Sequence, residues 1–267
     1  MKKSLIGVTP LQLGALRILI SGIVILLVGS HTLKSIPSNK WKWIIIAGFI
    51  GTFFPAFLFA LAITEIDSAI ASILNSLTPL NTILLGFTIF KITSTKQQIT
   101  GVIIGFVGAS ILIGAGAQLN PQQNYLYAGL VLIATMLYAI NVNLIKKYLQ
   151  EVSALGIAAG NFIAVMLPAL LVLIFTDFFK EDTLSQSILK ESLIYIIVLS
   201  VFGTAMAKVM FNKLVQMSTP VFASSVTYLI LVVALIWGIL DGEKFNLVQG
   251  LASIVIILGV YMANRKK

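Results

Sequence analysis

The chain has 267 residues, 58% of them hydrophobic and only 10% charged, with a mean hydropathy of +1.03. Average soluble domains carry about 25% charged residues, so this composition excludes a soluble globule. The net charge of +9 would point to nucleic acid in a soluble protein; here it is read against membrane orientation, and no nucleic-acid partner is expected.

A bilayer-spanning helix needs about 20 predominantly apolar residues. Nine such segments follow in chain order: Leu11–Gly29, Trp43–Ile63, Ser68–Phe90, Gln98–Gly116, Tyr125–Ile145, Ala154–Thr176, Leu193–Gln216, Thr219–Leu240 and Leu247–Ala263, numbered below as spans one to nine. Lipid offers backbone groups no partner, so each is expected to be a helix and the fold an all-α polytopic membrane bundle of nine transmembrane helices. Little chain is left for a domain outside the membrane. Met1-Lys2-Lys3 before an apolar run imitates a signal peptide, but Arg17 interrupts the run and no small-residue cleavage site follows, so the segment is read as retained. The absence of Cys excludes a disulfide framework and a thiol nucleophile.

Lys and Arg in alternate loops set orientation. One set of loops, with the carboxyl terminus, holds eleven of them against the single acid Glu151; the other holds five against eight acids. The carboxyl terminus is therefore expected in the cytoplasm and, with nine spans, the amino terminus outside. Lys2 and Lys3 then lie on the unfavoured side.

The sequence repeats. Gly51-Thr52 with Phe59 in span two recurs as Gly203-Thr204 with Phe211 in span seven, and the block from Ser68 to Gly108 has a counterpart from Thr219 to Gly259. Five spans separate the copies, so they enter the membrane in opposite orientation, an inverted repeat of the kind found in secondary transporters.

Further marks accompany the repeat: Thr9-Pro10 followed by Leu16-Arg17, Ala71-Ser72 followed by Leu77-Thr78-Pro79, Ala223-Ser224, and Gly242-Glu243 closing span eight. In their order and spacing the sequence resembles the drug/metabolite transporter superfamily, in particular the EamA-type permeases, across essentially its whole length. The resemblance implies ten helices in two inverted five-helix halves, both termini cytoplasmic, and export of small metabolites or amino acids through a central cavity. On that pattern residues 1–118 form a first repeat of four helices and residues 119–267 a second of five. Span five has no partner in the first repeat, so the expectation is that Met1 is an internal start and another helix precedes it. Two departures stand out: Lys91-Ile92 replaces the Gly-Glu pair in the first half, and Ile230 stands where the second half should have its proline.

No catalytic constellation is present, and the single histidine, His31, lies in a loop, so neither an enzyme nor a metal or other cofactor is expected. A transport site needs polar groups near the bilayer midplane on locally broken helices. Span three carries Ser68, Ser72, Asn75, Pro79 and Thr82 at intervals of four, three, four and three, one helical face, with Thr78 beside the proline. Pro79 removes the hydrogen bond to the Asn75 carbonyl, which is expected to be a free acceptor. Ser224, Thr227 and Tyr228 make a similar stripe in span eight, and Tyr138, Asn141 and Asn143 in span five with Asn161 in span six are further candidates. The alternative for all of these is helix packing through small and polar residues. Arg17 and Lys208 lie inside spans one and seven, where an arginine at mid-helix costs roughly 2.5 to 3.5 kcal/mol, so they either contact substrate or snorkel to an interface. They lean mildly toward substrates with a carboxylate. The pairs Gly101-x-x-x-Gly105 and Gly156-x-x-x-Gly160 read as close helix contacts.

All nine acids fall in loops or at span ends. Proton coupling, if used, therefore falls to an edge carboxylate such as Glu65 or Glu243; otherwise the protein is a facilitator. The reading is an integral inner-membrane exporter of small metabolites or amino-acid-like solutes, working by alternating access between two inverted repeats. Its rivals are an importer or facilitator of the same fold, and a non-transporting scaffold. Partners are the small-molecule substrate and the lipid bilayer, with monomer and homodimer both open.

Overall fold

A computed structural model describes residues 2–91, 95–119, 124–180, 187–224, 226–227, 240, 242 and 246–264. It is helical, with no strand among the described residues. Span one is the helix Pro10–Gly29, span four Lys96–Leu119, span five Ala128–Tyr148, span six Ala154–Phe175 and span nine Leu247–Asn264. Among the described residues six helical stretches are long and apolar enough to cross a membrane, and Ile99–Leu112 and Leu247–Gly259 are shorter apolar ones. Span eight is described at its start, Pro220–Ser224, and most of its remainder lies outside the described residues.

Local chemistry fixes the ends. Thr9 caps span one reciprocally with Gln12: the Gln12 amide donates to Thr9 Oγ1 at 3.3 Å and the Thr9 amide to Gln12 Oε1 at 2.9 Å, with Pro10 at the first helical position. Asn246 and Gln249 repeat the device at the start of span nine, at 2.8 and 3.0 Å.

Among the described residues three spans that read as single helices are interrupted. Span two runs as Trp41–Gly48, a π turn Phe49–Phe53, and Phe54–Glu65; span seven as Ser187–Ser200, a π turn Val201–Met206, and Ala207–Met217. Both π turns contain the repeated Gly-Thr pair. Gly is a poor helix former, and a Thr hydroxyl competes for backbone carbonyls: Thr204 Oγ1 donates to Leu199 O, five residues back, at 3.3 Å. Span three is two helices, Ser68–Asn75 and Thr78–Thr88, parted at Ser76-Leu77, so its polar residues do not share one continuous helical face.

The chain forms two compact units, residues 1–64 with 144–217, and residues 65–143 with 218–267, so each takes spans from both sequence repeats. In the first unit, span six packs on spans one and two around buried Leu13, Ile18, Phe162 and Ile196, with alanines such as Ala60, Ala158 and Ala159 allowing close approach. Gly22 lies against Met166 and Gly29 against Leu155, so spans one and six run antiparallel. Aligned on the repeat, with Arg17 set against Asn161 and Gly51 against Gly203, Ser21 corresponds to Val165 and Ser200 to Gly48. Ser21 Oγ donates to Ser200 O at 2.8 Å, and Val165 packs on Gly48. The contact of spans one and seven is thus repeated by spans six and two, with the copies inverted. Outward residues such as Leu27 and Phe175 are apolar and about 80% exposed, as a lipid-facing surface requires.

The second unit is built on spans four and nine, which run antiparallel. A Cβ placed on Gly259 would lie 2.5 Å from Gly105 N and 2.6 Å from Gly101 O; one on Gly108 would lie 2.8 Å from Ile256 Cγ1 and 3.1 Å from Ala252 O. In the repeat Gly101, Gly105 and Gly108 correspond to Ala252, Ile256 and Gly259, so this is one contact made twice.

Candidate functional site

Each unit holds a cluster of polar groups inside its helices. In the first, the two intramembrane cations reach the two π turns. Lys208, in the first turn after Val201–Met206, donates from Nζ to the Gly51 carbonyl at 3.0 Å; Arg17 donates from Nη2 to Thr204 Oγ1 at 3.1 Å. The wide turn changes the backbone ladder: the Phe54 amide bonds Phe49 O and the Ala207 amide bonds Phe202 O, five residues back. A step from four to five residues leaves a carbonyl without its usual donor, and in lipid a side chain must replace it. Gly51 lacks its α-helical donor because residue 55 is a proline, Pro55, and Lys208 supplies one in its place; Ser21 and Thr204 donate to the carbonyls of Ser200 and Leu199. Thr52, the repeat counterpart of Thr204, is buried and its hydroxyl has no partner among the described residues.

In the second unit the break in span three is built by Pro79, which has no amide to offer the Asn75 carbonyl. That acceptor is not free, as the sequence leads one to expect: Thr78 Oγ1 donates to it at 2.7 Å, because the turn brings the hydroxyl within reach of the carbonyl three residues back. Thr82 Oγ1 donates to Thr78 O at 2.8 Å, and Asn143 Nδ2 to Thr82 O at 3.0 Å, tying span five to span three. Asn81 Nδ2 donates to Thr135 Oγ1 at 2.8 Å. Span eight repeats the threonine device without a proline: Thr227 Oγ1 donates to Ser224 O at 2.9 Å.

Asn75, Thr78, Pro79, Thr82, Asn141 and Ser224 are buried, and Ser72, Tyr138 and Thr227 half-buried. Asn141 Oδ1 is buried without a partner among the described residues. Asn161, oriented with its amide nitrogen toward them, donates to Ile157 O at 3.1 Å and Ile44 O at 2.8 Å, a packing role between spans six and two. Glu65 is exposed at the end of span two. Tyr228 and Glu243 lie outside the described residues. Gly51, Thr52, Thr204, Asn81 and Thr135 are functional candidates that sequence reasoning missed. For the first three the signal was present, since the Gly-Thr pair marks the repeat.

Residues 1–114 and 126–265 match the EamA-like transporter family. The chain belongs to that family. Over 271 aligned residues, 97% of this chain and 86% of the other, it is 26% identical to the protein called PecM of Dickeya dadantii (strain 3937). A solved crystal structure matches it with a TM-score of 0.70 at 18% identity, over 98% of this chain and 90% of that one, a likeness of fold. With its long apolar helices, this EamA-family chain is an integral membrane transporter protein.

Proposed function

We propose that the protein exports small metabolites or amino-acid-like solutes from the cytoplasm, as a multi-pass protein of the inner membrane with its carboxyl terminus inside. The solute passes unchanged, by alternating access between the two inverted repeats. The observation that carries the reading is the placing of the helix breaks: the same Gly-Thr π turn interrupts spans two and seven, and each turn is gripped by a cation of another span. Broken helices are where secondary transporters expose backbone dipoles to a solute, and π turns gather at functional sites. A scaffold has no need of them. In the second unit Ser72, Asn75, Thr78, Pro79, Thr82, Tyr138, Asn141, Ser224 and Thr227 are the proposed substrate-contacting groups, and in the first Arg17 and Lys208.

The test is the metabolite content of the medium around cells overproducing the protein. Solutes should accumulate outside wild-type cells, and no longer do so with Asn75→Ala or Pro79→Leu at equal expression. An unchanged medium would refute export. Flux in oriented vesicles then separates an exporter from an importer.

A further inference from the structure

The two intramembrane cations are held differently. Arg17 reaches a hydroxyl, Thr204 Oγ1. Lys208 reaches a peptide carbonyl, Gly51 O at 3.0 Å, and among the described residues no carboxylate lies within ion-pair distance of it. A carbonyl shares an N–H group but does not neutralise an ammonium, so a cation withdrawn from bulk water with only that partner keeps much of its desolvation penalty. Among the described residues two of its three N–H groups remain to be offered.

Thr52 supplies the other half of the peptide group that Lys208 holds. Its hydroxyl is buried without a hydrogen-bond partner among the described residues, while its repeat counterpart Thr204 accepts from Arg17. A hydroxyl kept idle in a buried place is unfavourable unless something binds there. As a whole residue Lys208 is half-buried. Spare N–H groups on a cation, with a spare hydroxyl on the adjoining turn, are the donors that an oxyanion takes.

We infer that Lys208, with Thr52 on the π turn it grips, selects solutes bearing a small oxyanionic head, a carboxylate in the first instance. The inference rests on the transporter reading and adds its substrate class. It also divides the roles of the cations: Lys208 discriminates by charge, and Arg17, besides its contact with solute, braces the second π turn.

Lys208→Gln is the informative variant, because a glutamine amide still offers an N–H to the Gly51 carbonyl and removes only the charge. Purified protein is melted at constant ionic strength with two matched pairs of probes, succinate against succinamide and benzoate against benzamide. Near saturation an acid should raise the midpoint by roughly 2–4 °C in the wild type and its amide should not. The shift should vanish in Lys208→Gln, survive in Lys208→Arg and shrink in Thr52→Val. Equal shifts from acid and amide, no shift from either acid, or an undiminished shift in Lys208→Gln overturns the inference. Export of neutral solutes by wild-type cells alongside any of these results would leave the transporter reading standing and this one refuted.

Discussion

Gly259 and Gly105 meet so closely that a Cβ on Gly259 would fall 2.5 Å from the Gly105 backbone nitrogen. Backbone cannot step aside as a side-chain tip can. Gly259→Ala, and by the same symmetry Gly108→Ala, should each destabilise the protein by about 1–3 kcal/mol through overpacking. Gly105→Ala meets the end of the Leu80 side chain and should cost less, while Gly114→Ala, with nothing within 4 Å, should be neutral or gain up to about 1 kcal/mol. Melting midpoints in detergent check the order.

Thr78 and Pro79 act as a pair. Thr78→Val removes the hydroxyl that satisfies the Asn75 carbonyl and should cost about 1 kcal/mol. Adding Pro79→Ala restores an amide four residues from that carbonyl, so the double variant should regain stability as the break closes. It should not regain export. Stability and medium content measured on the same variants separate the two effects.

The bond between Arg17 and Thr204 should show a coupling of about 0.6 to 1.7 kcal/mol in a double-mutant cycle of Arg17→Leu and Thr204→Val, read by unfolding in mixed micelles. Thr204→Val alone should be the worse single change, because it leaves the guanidinium in place with one acceptor fewer. Arg17→Leu also removes the cost of keeping a cation in a span.

Proton coupling, placed on the edge carboxylates, predicts that Glu65→Gln with Glu243→Gln loses uphill flux driven by a pH gradient in proteoliposomes but keeps solute counterflow. Gradient-driven flux that survives both changes excludes these two residues.

The helical architecture was legible because hydropathy and length decide it, and every described span begins within a few residues of its expected position, apart from span seven, whose helix starts earlier at Ser187. The inverted repeat was legible through Gly51-Thr52 and Gly203-Thr204. What these pairs do was not: a π turn depends on which neighbour supplies the replacement donor, and Lys208 and Gly51 are 157 residues apart. Asn75 shows the same limit in miniature. Proline announces a missing amide in the sequence, but the hydroxyl that takes its place depends on how the turn at Ser76-Leu77 folds.

A π turn is also a shift of phase. One residue inserted in an α-helix turns all that follows by about 100°, so the faces of span two before and after Phe49–Phe53 do not line up, and neither do those of span seven around Val201–Met206. Both insertions fall at matching points of the repeat, so spans two and seven change phase at the same place. Moving a wide turn one position along its helix would rotate one residue relative to the rest while breaking few backbone bonds. Deleting Gly51 alone would remove the change of phase from span two and leave it in span seven.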